Sequence, residues 1–279
     1  MKRVYPMIVQ KCGRICALVL CLCLLLCGLC HCKEESEDIS TEATEYLKQG
    51  LSAFWVADCL SFARASAVIR ERESGKAITG YLLYSESVHH NKGHLADRQT
   101  ETYQAITIDP ATVLPTEMTS LSTSYLTEGR IYYQFHGKDE KKYSLPFEED
   151  YSSAMGLYSL SEASPVSRYG VKDGESVRVD LRFSPETCQK SQEIFIYNMQ
   201  AALFGQTLPS EWSTLLLSMQ MEGKERRITS YSLSFTGNCE LGGESYTVSY
   251  RYEEFFTGYD AAPPIEFPDL TAFPVLKKE

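Results

Sequence analysis

The chain lacks the compact motifs that announce chemistry. It has no Gly-x-Ser-x-Gly nucleophile elbow, no His-Glu-x-x-His zinc helix and no glycine-rich phosphate loop. Those absences remove the common routes to a serine hydrolase, a metalloprotease or a nucleotide site. No Asn-x-Ser/Thr acceptor is present either. Cysteine is scarce after the N-terminus, where only Cys59, Cys188 and Cys239 follow Cys32. An odd number at wide spacing excludes a disulfide scaffold and leaves one bridge at most, Cys188 with Cys239, or three buried thiols. Positive charge is short as well. Without the four basic residues of the first 32, 23 Lys and Arg face 37 Asp and Glu, a formal charge of −14. An acidic body repels phosphate backbones, which speaks against a nucleic-acid partner.

What is present begins with an address. Lys2, Arg3, Lys11 and Arg14 precede an apolar run from Ile15 to Cys30, and no acid occurs before Glu34. This is the order of an export signal, and the run is short of the ~20 residues that span a bilayer. Basic residues before it and acids after it put the body outside the cytoplasm. Seven of the ten cysteines (Cys12, Cys16, Cys21, Cys23, Cys27, Cys30 and Cys32) crowd this segment, where the thiol acts as a small hydrophobe. The end of the run is similar to a bacterial lipoprotein signal. Cys32, with Leu29 three positions before it, is the expected lipid anchor, and Cys30 is the alternative. The expected organisation is a signal at 1–32, a polar tether at 33–40, one domain at 41–272 and a C-terminal tail at 273–279.

Period-two alternation dominates the last third. Leu215, Leu217, Met219 and Met221 share one face, as do Tyr231, Leu233 and Phe235, and then Tyr246, Val248, Tyr250 and Tyr252. Hydroxyl-bearing residues fill the opposite positions, so these are strands with one buried face. Turns are expected at Glu222-Gly223-Lys224 and between Gly237-Asn238 and Gly242-Gly243, giving an antiparallel meander. Upstream, the spacing predicts a helix through Ala43, Leu47, Leu51, Phe54 and Trp55, started by Asp38, Ser40 or Thr41. A hairpin about Ser74-Gly75-Lys76, a polar loop from Val88 to Gln99, and strands at Thr102–Ile108 and Glu117–Thr127 follow. Phe147 to Leu160 reads as a helix with an acidic start. Ser184-Pro185-Glu186 opens another, which Gly205 closes and which carries Phe195 and Met199.

The order of signal, amphipathic helix, meander with Gly129-Arg-Ile-Tyr-Tyr133, helix at Ser-Pro-Glu, three long alternating strands and a Pro-Ile-Glu-Phe-Pro268 ending resembles the LolA/LppX-like bacterial lipoproteins. The resemblance spans about residues 40 to 272. It implies an α+β fold, a curved antiparallel sheet forming an unclosed half-barrel with helices on its concave face. It also implies a non-enzymatic role in carrying lipids or lipidated proteins, or in sensing the state of the envelope. On that frame the candidate ligand-binding residues are Leu215, Leu217, Met219, Met221, Tyr231, Leu233, Phe235, Tyr246, Val248 and Tyr250 on the sheet, facing Phe195 and Met199 on the helix. Methionines and aromatic faces suit an acyl chain of varied shape. Expected partners are the membrane through the N-terminal anchor, a lipid or other hydrophobic ligand, and alternatively an exposed envelope protein.

No cofactor and no metal is assigned. His89, His90 and His94, with Asp97, form the only cluster of metal-ligand character, and they read as a solvated loop. Glu148-Glu149-Asp150 and Glu253-Glu254 could mimic a two-carboxylate site. The first is expected at a helix start, where acids suit the dipole, and the second at a strand end facing solvent.

Overall fold

The computed structural model describes residues 36–90, 96–106, 119–127, 129–136, 140–146, 153–203, 211–241 and 244–276. Among the described residues one 13-stranded antiparallel sheet carries the fold. Its strands are β1 (Glu37–Asp38), β2 (Asp58–Glu71), β3 (Ala77–His90), β4 (Ala96–Ile106), β5 (Thr119–Thr127), β6 (Arg130–Phe135), β7 (Lys141–Pro146), β8 (Ser167–Asp173), β9 (Ser176–Phe183), β10 (Glu211–Trp212), β11 (Leu215–Glu222), β12 (Arg227–Leu241) and β13 (Glu244–Thr257). The helices are α1 (Ala43–Trp55), α2 (Ser153–Glu162) and α3 (Pro185–Leu203). The strand path runs β1-β8-β9-β11-β12-β13-β2-β3-β4-β5-β6-β7, with β10 beside β12. Its two ends do not meet, so the sheet is a curved, unclosed half-barrel.

The start of the domain is built locally. Asp38 Oδ1 accepts hydrogen bonds from Ser40 N at 2.9 Å and Ser40 Oγ at 2.7 Å. These two donors hold the Asp38 carboxyl below its ordinary range and turn the chain through Ser40–Glu42 into α1. Tyr46, Leu47, Gly50, Leu51 and Phe54 form the buried stripe that follows. Residues 37–40, read from the sequence as tether, sit in the folded unit. Glu37 and Asp38 pair with β8, and Ile39 is only 2% exposed, its N–H donating to Gly170 O. A single isoleucine in an acidic stretch suffices, because Gly170 lets its backbone approach closely.

Three other expectations change. Of the polar stretch 88–99, residues 88–90 and 96–99 are strand, with Val88 opposite Arg98 and His89 opposite Asp97; backbone pairing outweighs side-chain polarity there. The turn expected from Gly237-Asn238 to Gly242-Gly243 narrows to the end of that span, because β12 runs through Gly237-Asn238 to Leu241, opposite Glu244, and Trp212 pairs across Gly237. A strand glycine marks close approach, and the Trp212 ring stands 6.0 Å from Phe235 and 6.5 Å from Tyr250. β8 was not anticipated, and it forms a hairpin with β9 about Gly174, whose φ is 57°. Residues 147–152, with the acidic start expected there, lie outside the described residues.

α1 crosses the concave face at one end of the strands. A Cβ on Gly50 would stand 2.8 Å from Ile228 Cγ1 and 3.0 Å from Met221 Cε. Gly50→Val should therefore destabilise the domain by about 1–3 kcal/mol through overpacking, despite removing a helix glycine. Chemical denaturation of the two proteins checks this, and an unchanged midpoint would show that α1 docks less tightly than the distances state.

Candidate functional site

The hydrogen-bonded rows of the sheet bring the predicted residues onto one face. Leu181, Leu217, Leu233, Tyr252, Ala65 and Leu83 stand side by side across β9, β11, β12, β13, β2 and β3. The next row holds Val179, Met219, Tyr231, Glu254, Ala63 and Ser85. Leu215, Leu217, Met219, Met221, Tyr231, Leu233, Phe235, Val248 and Tyr250 are all buried in one contiguous cluster, with Tyr246 packed at its margin. Leu47, Leu51 and Phe54 of α1 belong to the same cluster. The apolar half of the concave face is thus covered by α1, which packs against β8, β9 and β12, while α3 packs against β11 on that half, against β3 and β4 beyond β13, and against α2. Phe195 and Met199 lie on α3, but their side chains fall outside the described residues, as do Cys30, Cys32 and His94.

Past β13 the same face changes character. Ala63, Ala65 and Ala67 line β2, and Ser61, Ser85, Ser87, Ser122 and Ser124 are buried on β2, β3 and β5. Ser61 stands opposite Ser87, and through Gln99 of β4 the row reaches Ser124, Tyr133 and Tyr143. Beyond the serines, Tyr133, Phe135 and Tyr143 form a half-buried aromatic group with centroids 5.3 to 6.3 Å apart. On the other side Tyr231 stacks on Tyr252 at 5.7 Å and on Phe256 at 6.1 Å. The concave face is therefore a floor of small and hydroxyl-bearing side chains between two aromatic groups.

Glu254 corrects an expectation. It is 8% exposed, and its Oε2 accepts hydrogen bonds from Tyr231 Oη at 2.6 Å and Tyr252 Oη at 3.1 Å. Burial, and then the adjacent carboxylate, push the Tyr231 phenol well above its ordinary pKa, so it stays a donor. Glu253 points to the other face and pairs with Arg251 at 2.6 Å. Adjacent residues of a strand face opposite ways, so the dyad read from the sequence is split.

The histidines separate for the same reason. His89 Nε2 lies 2.9 Å from Ser61 Oγ on the concave side, with its ring 5.5 Å from Phe54. His90 faces outward, with Nδ1 3.3 Å from Asp58 and Nε2 2.8 Å from Pro263 O. Among the described residues no group of three His, Cys, Asp or Glu is placed to hold a metal. Cys59, Cys188 and Cys239 are buried thiols, and burial raises Cys188 to about 11. On α3, Ser191 Oγ and Gln192 Oε1 are buried without a hydrogen-bond partner, while Gln192 Nε2 donates to Ser213 O at 3.0 Å.

The convex face carries the C-terminal segment as a strap. From His90 it passes Tyr125, whose ring is 6.0 Å from Phe267, and Tyr132, whose ring is 5.6 Å edge-on from buried Phe273. It ends on the sheet edge, where Ser144 N donates to Pro274 O and Leu276 N donates to Ser144 O.

Fold and site together define an open antiparallel half-barrel with helices laid on a concave face that is apolar at one side and hydroxyl-lined at the other. No family model matches the chain, and no curated protein matches it. Among solved structures it is similar to LprF from Mycobacterium bovis, at 11% identity and a TM-score of 0.37, covering 84% of this chain and 99% of that one. It is also similar to the lipovitellin of a structure titled for its lipid–protein interactions, at 9% identity and a TM-score of 0.38, covering 76% of this chain and 26% of that one. At such identities the function has to be read from this chain's own residues. Among the described residues no helix is long and apolar enough to cross a membrane.

Proposed function

We propose that the domain is a non-enzymatic binding module that holds an amphiphilic molecule on its concave face, its apolar chain toward β11 and β12 and its polar end between β13 and the serines of β2, β3 and β5. One observation carries the reading. Along continuous rows of the same face, leucine, methionine and tyrosine give way to alanine and buried serine, with aromatic groups on either side. A wall that is apolar with a few polar groups is how small-molecule sites are built. The N-terminal sequence supports the address: an export signal ending at Cys32 or Cys30 would tether the domain on the outer face of a bacterial membrane. The layout shared with LolA/LppX-like lipoproteins fits the same role.

Native mass spectrometry of the protein purified from membranes without added detergent tests this. The expected result is a discrete extra mass that is extracted as lipid or another amphiphile. A clean unliganded mass would overturn the reading and favour an exposed envelope protein as partner, which crosslinking in intact cells would then identify.

A further inference from the structure

Glu254 is a carboxylate set in the wall of the proposed site without a counter-charge. Both phenol donors, Tyr231 and Tyr252, go to Oε2, and among the described residues no Lys, Arg or His pairs with Glu254. Arg227, on the strand beside it, is committed to Asp260 and to Glu225. A buried charge is retained at a cost unless something compensates it, and two phenols supply hydrogen bonds without supplying positive charge. The surroundings say what would. Aromatic rings Tyr231, Tyr252 and Phe256 stand to one side, and the row continues on the other through Ala63 to Ser85, the two smallest kinds of side chain in this part of the face. A carboxylate in such a wall is the partner that a positively charged nitrogen prefers, because a charge-assisted contact is stronger than a neutral one.

We infer that Glu254 seats the cationic nitrogen of an amine- or ammonium-headed amphiphile. Oε2 stays fixed by the two phenols, which leaves Oε1 for the cation, and the small Ala63 stands opposite Glu254 in the same row. The assignment rests on the amphiphile reading and narrows it to one head-group charge.

The test compares dodecylamine with 1-dodecanol, equal in chain length and differing in charge, by calorimetric titration into the full chain. Dodecylamine is expected to bind about tenfold more tightly, as a charge-assisted contact exceeds a neutral one. Glu254→Gln keeps the shape and the acceptor for the phenols, and should abolish that preference while leaving the far-ultraviolet spectrum unchanged. Tyr252→Phe, which leaves the carboxylate in place, should keep the preference and guards against a folding defect in the first variant. Equal binding of both compounds, or a preference that survives Glu254→Gln, overturns the head-group assignment while the amphiphile reading stands. Binding of neither compound overturns both.

Discussion

Leu233→Ala should lower the unfolding free energy by about 2–5 kcal/mol, the range for removing a leucine from a packed core. Leu233 is fully buried, and Leu217 and Tyr252 flank it in the same hydrogen-bonded row. Total stability of a domain is about 5–15 kcal/mol, so this single change removes a large share of it. Urea unfolding measures the loss, and an unchanged slope would show that the denatured chain is unaffected. The size of the effect also separates two kinds of wall. A leucine gripped by neighbours leaves a hole when cut back, whereas one bordering a space already open to ligand loses little. A cost below about 1 kcal/mol would show that the space for the ligand's apolar chain lies directly over β12.

A chain ending at Ala261 should be less stable by about 3–5 kcal/mol and should self-associate. The energetic loss comes mainly from Phe273, which is buried against Tyr132 and lies under Lys142 Nζ. The association follows from the edge. β7 ends the strand path, and the strap occupies the backbone groups of Ser144 that would otherwise face solvent. An uncovered edge strand is a template for a second chain. Thermal unfolding and light scattering on a sizing column check both halves. A monodisperse monomer with an unchanged midpoint would mean that the strap covers the edge without protecting it.

How far the sequence discloses this arrangement depends on how local the signal is. The last three long strands are plain from alternation alone, and the α1 stripe from its helical spacing. Glu254 could have been placed by the same rule, since the parity that puts Tyr246, Val248, Tyr250 and Tyr252 on one face continues to Glu254 and Phe256. Charge masked it: a glutamate beside another glutamate reads as surface. The serine floor gives no such signal. Ser61, Ser85, Ser87, Ser122 and Ser124 look like solvent-facing positions until β3, β4 and β5 are paired in register. Nor does Phe273 disclose that it meets Tyr132, because contacts across the convex face depend on where a chain without regular structure is carried.

The position of β13 has a consequence for how the chain is made. β2 pairs on one side with its immediate successor β3, and on the other with a strand that is synthesised last. Until residues 244–257 emerge, β2 and β12 each present an unsatisfied long edge, and the two meanders they terminate have no connection in the sheet. Closing a loop of that length is entropically costly before any contact rewards it, and such non-local topologies fold in about milliseconds to seconds. The final strand acts as a keystone, and the two halves of the sheet become one only when it is in place between them.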